Sequence, residues 1–137
     1  MRLGLYGHTH KEDIQVTQSM SDAKNIGINF FAGSLTSLGV RNPSFNIIEF
    51  DAEYMIPLNI KTYSFNLDLA NTNGSPSWGL LHDYLSYYSL PDLRPDNIYN
   101  LIAVKLRDDD NFAMQYMWDQ VRRAFVKPTA CNQSCRL

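Results

Sequence analysis

Apolar and polar residues alternate along much of the first half of the chain, a pattern that predicts short β-strands. The predicted strands span residues 3–6, 14–16, 26–30 and 45–50, and the most regular alternation runs over residues 63–69. Residues 33–43 are rich in Gly, Ser, Thr and Asn and predict a loop. The first half therefore predicts strands that each turn one apolar face towards a core.

The second half changes period after a break at residues 71–76 and predicts helices. The apolar face of the first predicted helix consists of Trp78, Leu81, Leu85 and Tyr88. Pro95 suits the first turn of a second helix, and residues 108–110 offer an N-cap for a third. His82 falls within the first helix and is expected to be a partly exposed helical residue. Together the two halves predict an α+β fold.

Composition narrows the class of protein. The chain has 137 residues, 45% of them hydrophobic, and a formal net charge of -2, which indicates a folded domain. No basic stripe is present, so nucleic-acid binding has no electrostatic basis. No apolar run approaches the roughly 18–20 residues of a membrane span. The first ten residues lack the features of a signal peptide, so a secretion signal of the intact protein would lie upstream.

The candidate chemistry lies in Gly7-His8-Thr9-His10, directly after the first predicted strand. Two imidazoles at i and i+2 of an extended segment point the same way. They can each reach one ion of a two-metal site whose ions are roughly 3.5–4 Å apart. Imidazole suits zinc, iron or manganese. The spacing alone also fits two ordinary surface histidines, so the motif predicts a metal site without establishing one.

Two further features concern covalent chemistry. Cys131 and Cys135 are four positions apart, a spacing that leaves open either a short-loop disulfide or two free thiols. A structural zinc site is disfavoured because it needs four ligands. Asn73 and Asn132 each begin an Asn-x-Ser glycosylation triplet, which fits a secreted protein.

Several segments, in order, resemble the acid sphingomyelinase (sphingomyelin phosphodiesterase) family of calcineurin-like metallophosphoesterases. The stretch from Leu5 to Asp13 resembles the family's terminal metal motif. Residues 42–51 and 63–67 resemble two later segments, although Asn46 stands where the family usually has arginine. The helical region from residue 88 to 101 and the pair of cysteines complete the resemblance, which covers essentially the whole chain.

The resemblance implies a C-terminal fragment of a larger enzyme. Residues 1–70 would be the last strands of a metallophosphoesterase β-sandwich, and residues 71–137 a small helical subdomain ending in a Cys131–Cys135 disulfide. His8 and His10 would each bind one of two zinc ions. Tyr54 would lie near the substrate pocket, although an exposed loop tyrosine is an equally good interpretation.

The implied activity is hydrolysis of sphingomyelin to ceramide and phosphocholine by a secreted or lysosomal protein in peripheral contact with lipid. The family's upstream metal motifs (Asp-x-His, Gly-Asp, and Asn-His followed by an acid) are absent, so the chain holds no catalytic residue. We therefore expect the fragment alone to be inactive and poorly soluble. Two alternatives stay open: a related phosphodiesterase acting on nucleotides, and a binding domain that has lost catalysis. The short loop between Gly33 and Asn42 is more similar to acid sphingomyelinases than to the nucleotide-acting relatives.

Overall fold

The computed structural model describes residues 2–130 and builds them into two three-stranded sheets and a series of short helices. The first sheet consists of β1 (Arg2–Tyr6), β2 (Asp13–Gln18) and β3 (Asn25–Phe31), in the order β1-β3-β2. The second consists of β4 (Ser44–Phe50), β5 (Pro57–Ser64) and β6 (Gly79–Asp83), in the order β4-β5-β6. The predicted α+β class is confirmed, as are the strands predicted at β1 to β4.

The strand directions in the first sheet determine where the carboxyl end of β1 lies. β1 runs parallel to the central strand β3, while β2 runs antiparallel to it. The carboxyl ends of β1 and β3 therefore meet at one edge, where the Ala32 amide donates to the Tyr6 carbonyl at 2.9 Å. Gly7 and the two histidines of the motif follow directly at this edge.

The helices are short and lie mostly in the second half. They are α1 (Leu67–Asn73), α2 (Tyr84–Tyr88), α3 (Pro95–Ile98), α4 (Val104–Asp108) and α5 (Asp110–Gln120), with a π-helical turn, Tyr99–Ala103, joining α3 to α4. Pro95 occupies the first turn of α3, and the Asp109 side chain caps α5, as predicted. Within residues 2–130, none of these helices has the length and apolar character needed to cross a bilayer.

The strand predicted over residues 63–69 is wrong in its second half. β5 ends at Ser64, and residues from Leu67 onward form α1. The cause is the Asn66 side chain, whose oxygen accepts from the Leu69 amide at 2.9 Å and so caps a helix. Gly74, with a positive φ of 70°, ends that helix within the predicted break.

The helix predicted from residue 78 is wrong in its first part and confirmed in its second. Gly79–Asp83 forms β6, which pairs antiparallel with β5 and places His82 opposite Thr62. The helix α2 begins only at Tyr84, where the Asp83 side chain caps it by accepting from the Ser86 amide. His82 is therefore a strand residue with 4% of its surface exposed, and not a partly exposed helical one.

One apolar core joins both sheets to the helices. Its fully buried residues include Phe30 from the first sheet, Ile60 from the second, and Ile98 and Ile102 from the helical region. Tyr84 packs edge-on against Phe30, with ring centroids 5.8 Å apart. The core therefore draws residues from both sides of the boundary predicted at residue 70.

Candidate functional site

The two motif histidines lie in a strained turn at the carboxyl end of β1. His8 has a φ of 75° and His10 a φ of 58°, both in the left-handed region that non-glycine residues rarely adopt. The Thr9 amide donates to the Gly7 carbonyl at 3.0 Å, which closes a tight three-residue turn around His8. Such conformations cost of order 1–3 kcal/mol each and concentrate at functional sites. Arg122 and Arg123 also have positive φ values, so the strain marks this turn as a candidate site only in combination with its two histidines.

The imidazoles differ in their surroundings. His8 is exposed, whereas His10 is partly buried and its Nδ1 lies 3.2 Å from the Thr36 hydroxyl. Thr36 belongs to residues 33–43, which form a loop as predicted. A hydrogen bond at one ring nitrogen fixes the orientation of the ring and leaves the other nitrogen, here Nε2, as the ligand atom.

These two histidines fit part of a metal site and not a whole one. Imidazole nitrogens suit zinc, but a catalytic zinc ion takes about three protein ligands. Among residues 2–130, no three or more His, Cys, Asp or Glu side chains are grouped to hold a metal ion. A metal bound here would need further ligands besides His8 and His10.

Arg122 hydrogen-bonds to the backbone of the turn, and its side chain is almost completely buried. Its Nη1 donates to the carbonyl of His10 at 2.9 Å and to that of Gln120 at 2.6 Å. The Glu12 amide donates to the same Gln120 carbonyl at 3.0 Å. Burial lowers the pKa of Arg122 to about 10, against the opposing charge of Glu12, so the guanidinium remains charged at neutral pH.

Asn42 connects Arg122 to the neighbouring loop. Its Nδ2 donates to the Arg122 carbonyl at 2.9 Å, and its own carbonyl accepts from Arg122 Nε at 3.0 Å. Its Oδ1 accepts from the Leu67 amide, at the start of α1, at 3.0 Å. The end of α5, the histidine turn and the loop over residues 33–43 are therefore tied together by hydrogen bonds.

A buried carboxylate lies two residues beyond His10. Glu12 accepts four side-chain hydrogen bonds: from His82 Nε2 at 2.7 Å, Tyr84 at 3.2 Å, Thr62 at 2.8 Å and Asn46 at 2.8 Å. Because an ionised carboxylate only accepts, His82 Nε2 carries the proton it donates. The position that departs from the resembled family, Asn46, thus supplies one of the four donors.

Electrostatics keep this carboxylate ionised. Burial acts to raise the pKa of Glu12, but the hydrogen bond and charge of His82, with the bonds from Asn46 and Thr62, outweigh it and hold the pKa below 4.5. Burial and the Glu12 charge in turn raise the pKa of Tyr84 well above its ordinary value, so its hydroxyl stays a donor. The cluster is inaccessible to a substrate and is a structural support beneath the histidine turn.

Sequence reasoning missed Arg122 and Glu12 and misplaced His82. A signal for Glu12 was available, since it falls inside the segment that resembles the metal motif. Arg122 has no local signal, because it belongs to an ordinary pair of basic residues after a helix. His82 shares a strand with exposed Leu80 and half-buried Leu81. This pattern is too weak to predict that the His82 side chain lies on the buried face of the strand.

The other predicted site residues lie elsewhere. Tyr54 is exposed in the turn after β4, while Asn42 precedes the start of that strand. β4 is seven residues long, so its start, next to Asn42, and its end, before the turn that holds Tyr54, lie about 20 Å apart. The substrate role of Tyr54 and the glycosylation of Asn73, the exposed last residue of α1, stay predictions. Cys131, Asn132 and Cys135 lie outside the described residues.

Comparison with known proteins places the chain among phosphodiesterases. Residues 23–137 match the family model of the acid sphingomyelin phosphodiesterase C-terminal region. Because this match covers most of the sequence, the chain belongs to the acid sphingomyelin phosphodiesterase family, and the resemblance seen in the sequence is confirmed. The match begins after the histidine turn, so the metal assignment rests on the geometry of the turn and on the resemblance of its motif.

The names of the curated relatives refer to two different substrates, sphingomyelin and cyclic GMP-AMP. The chain is 28% identical to human sphingomyelin phosphodiesterase over 138 residues, covering 96% of the chain and 22% of the relative. It is 32% identical to Caenorhabditis elegans sphingomyelin phosphodiesterase 2, with the same coverage. It is 27% identical to human cyclic GMP-AMP phosphodiesterase over 140 residues, covering 96% and 30%. The chain thus spans less than a third of the length of these relatives.

Proposed function

We propose that this chain is the C-terminal part of a two-metal phosphodiesterase in which His8 and His10 each bind one of two zinc ions. The observation that carries the proposal is the pair of left-handed histidines on an exposed turn at the end of β1. Protein backbone tolerates such strain where surrounding contacts enforce it, and here Arg122 and Thr36 supply those contacts. The two sheets would then be the last strands of a larger metallophosphoesterase sandwich.

Each residue of the turn has a separate task in this proposal. Thr36 holds the His10 ring through Nδ1, so that Nε2 is left as the ligand atom. His8 is exposed and can reach a second ion. When bound, paired zinc ions polarise the phosphoryl oxygens and supply a nucleophilic water at neutral pH. Two imidazoles are too few for this chemistry, so the chain alone would be inactive and the remaining ligands would come from the rest of the enzyme.

The proposed substrate is sphingomyelin, cleaved to ceramide and phosphocholine. The loop whose Thr36 touches His10 also carries three exposed apolar side chains, Leu35, Leu38 and Val40. An apolar loop beside the reacting centre suits a lipid substrate and peripheral contact with a lipid surface. Secretion or lysosomal targeting, with two glycosylation sites and a C-terminal disulfide, fits the same proposal.

Cyclic dinucleotide hydrolysis is the second candidate, because the human relative that is 27% identical carries that activity in its name. A substrate panel on the intact protein separates the two. Sphingomyelin in detergent micelles and cyclic GMP-AMP would be offered at equal concentrations, and the ratio of kcat/KM values decides. Hydrolysis of neither substrate, nor of a generic phosphodiester, would favour a binding domain that has lost catalysis.

The metal role is tested by His8→Ala and His10→Ala in the intact protein. We expect each variant to lose about one zinc ion per molecule by elemental analysis and activity to fall more than about 100-fold, since losing a ligand exceeds the cost of losing an outer hydrogen bond. Lys11→Ala, an exposed change in the same turn, is the matched control and should retain both. Full zinc content in the histidine variants would refute the proposal.

A further inference from the structure

Arg122 is a buried guanidinium whose partners are backbone carbonyls. Its hydrogen bonds go to the carbonyls of His10, Gln120 and Asn42, and none of the ion pairs within residues 2–130 includes it. A buried charge outside any ion pair is costly, and the nearby charge of Glu12 offsets only part of that cost. We infer that Arg122 is the positioning residue of the histidine turn: it holds the peptide group of the left-handed residue His10 and so fixes the end of the turn that carries both histidines. The effect of Arg122 on metal binding rests on the proposed function, whereas its hydrogen bonds to the turn do not.

The contacts fix both peptide groups that flank Lys11. On one side, the carbonyl of His10 accepts from Arg122 Nη1 at 2.9 Å. On the other, the amide of Glu12 donates at 3.0 Å to the Gln120 carbonyl, which also accepts from Nη1 at 2.6 Å. These contacts restrain the backbone dihedrals of Lys11. They also hold the peptide group that leaves His10, which is one of the two groups whose relative orientation gives that residue its φ of 58°.

A second route runs through the neighbouring loop. Arg122 and Asn42 exchange two hydrogen bonds, from Arg122 Nε to the Asn42 carbonyl and from Asn42 Nδ2 to the Arg122 carbonyl. Asn42 ends the loop over residues 33–43, and Thr36 of that loop contacts the imidazole of His10. The guanidinium therefore restrains the backbone of His10 directly and its ring through this loop.

The shape of the guanidinium is essential to this arrangement. Its rigid fork presents several N–H donors at fixed angles, whereas a lysine ammonium is a single flexible point charge. Arg123, the next residue, provides a comparison in the same backbone stretch. Its Nε donates to Asp119 at 2.8 Å and its guanidinium lies over the Trp118 ring, away from the histidine turn.

The test compares Arg122→Lys with Arg123→Lys in the full-length protein, by hydrogen exchange with mass spectrometry in the metal-free state. We expect peptides covering residues 7–12 to exchange about tenfold faster or more in Arg122→Lys, since a hydrogen bond to a charged group is worth about that factor or more. Peptides covering β5 should keep their wild-type rates. Arg123→Lys should leave residues 7–12 unchanged. Zinc affinity, measured by chelator competition, should fall about 10- to 100-fold in Arg122→Lys only.

Three results would overturn the inference. These are unchanged exchange at residues 7–12 in Arg122→Lys, equal acceleration of residues 7–12 and β5, or the same effect from Arg123→Lys. Equal acceleration would assign Arg122 a general structural role. If wild-type protein binds no zinc through His8 and His10, the proposed function fails, while the exchange result still decides whether Arg122 positions the turn.

A second variant covers the case in which Arg122→Lys does not fold. A Cβ on Gly33 would lie 2.1 Å from Ser44 Oγ and 3.3 Å from Arg122 Cζ. Combining Gly33→Ala with Ser44→Ala removes the hydroxyl collision and leaves a methyl group pressing on the guanidinium. Ser44→Ala alone is the control, because that hydroxyl has no partner among the described residues. Faster exchange at residues 7–12 in the double variant supports the inference, and exchange equal to that of Ser44→Ala contradicts it.

Discussion

Replacing Glu12 with Gln tests how strongly the buried carboxylate cluster stabilises the fold. Glu12 is 2% exposed and receives two donors at each oxygen, His82 and Tyr84 at Oε1, and Asn46 and Thr62 at Oε2. Gln has nearly the same shape, so the change leaves packing intact. It removes the charge and turns one accepting oxygen into an amide nitrogen that faces donors.

The expected loss follows from these contacts. Gln can keep its oxygen towards His82 and Tyr84, and the Thr62 hydroxyl can rotate to accept. The amide of Asn46 then loses its acceptor on residue 12 and keeps only the Thr62 hydroxyl. The remaining bonds also lose the contribution of the charge, and hydrogen bonds to charged groups are worth about 1.5–3 kcal/mol each. We expect the free energy of unfolding to fall by about 3 kcal/mol, which lowers Tm by roughly 10 °C in a domain of this size.

The assay is urea and thermal unfolding followed by circular dichroism, with Glu49→Gln as the matched control. Glu49 pairs with Lys61 at the surface, where both side chains are substantially exposed, so its loss should cost less than about 1 kcal/mol. If Glu12→Gln cost no more than Glu49→Gln, the cluster would contribute no net stability. The desolvation cost of the buried charge would then cancel its hydrogen bonds.

Two further predictions concern stability. Because the folded pKa of Glu12 lies below 4.5, its contribution is present above that pH and is lost as pH falls through the folded value. An acid titration of the free energy of unfolding should therefore decline more steeply below pH 4.5 in wild type than in Glu12→Gln, and parallel curves would contradict the assignment. At the start of α5, Asp109 accepts from the amides of Asn111 and Phe112, so Asp109→Ala should cost about 1 kcal/mol in urea unfolding. Asp108→Ala removes only an exposed ion pair with Arg107, and an equal loss there would show that the cap is not the cause.

The parts of the fold that the sequence predicted correctly rest on short-range signals. β3 buries Ile28 and Phe30 on one face, and their spacing of two is enough to indicate a strand. Pro95 and Asp109 mark helix starts by their own backbone and side-chain chemistry. Each of these signals acts within a few residues, so it can be recognised without knowledge of the tertiary structure.

The two partly wrong elements show where short-range signals compete. Alternation over residues 63–69 continues past the end of β5, but the Asn66 cap starts a helix there. The apolar spacing from residue 78 to 88 fits a helix. Residues 79–83 nevertheless form β6, because the edge of β5 is available for pairing. Pairing between strands is non-local, so a helical period in the sequence could not exclude it.

The candidate site likewise has one part that the sequence could predict and one part that it could not. His8 and His10 could be found because their motif is contiguous, whereas the residues that hold them are remote. Arg122 contacts His10 across 112 positions, and His82 contacts Glu12 across 70. Sequence reasoning places Arg at the surface by default, since this residue is rarely fully buried. The structure instead buries Arg122 against carbonyls, and that departure from the usual rule is why its substitution, rather than that of neighbouring Arg123, should loosen the histidine turn.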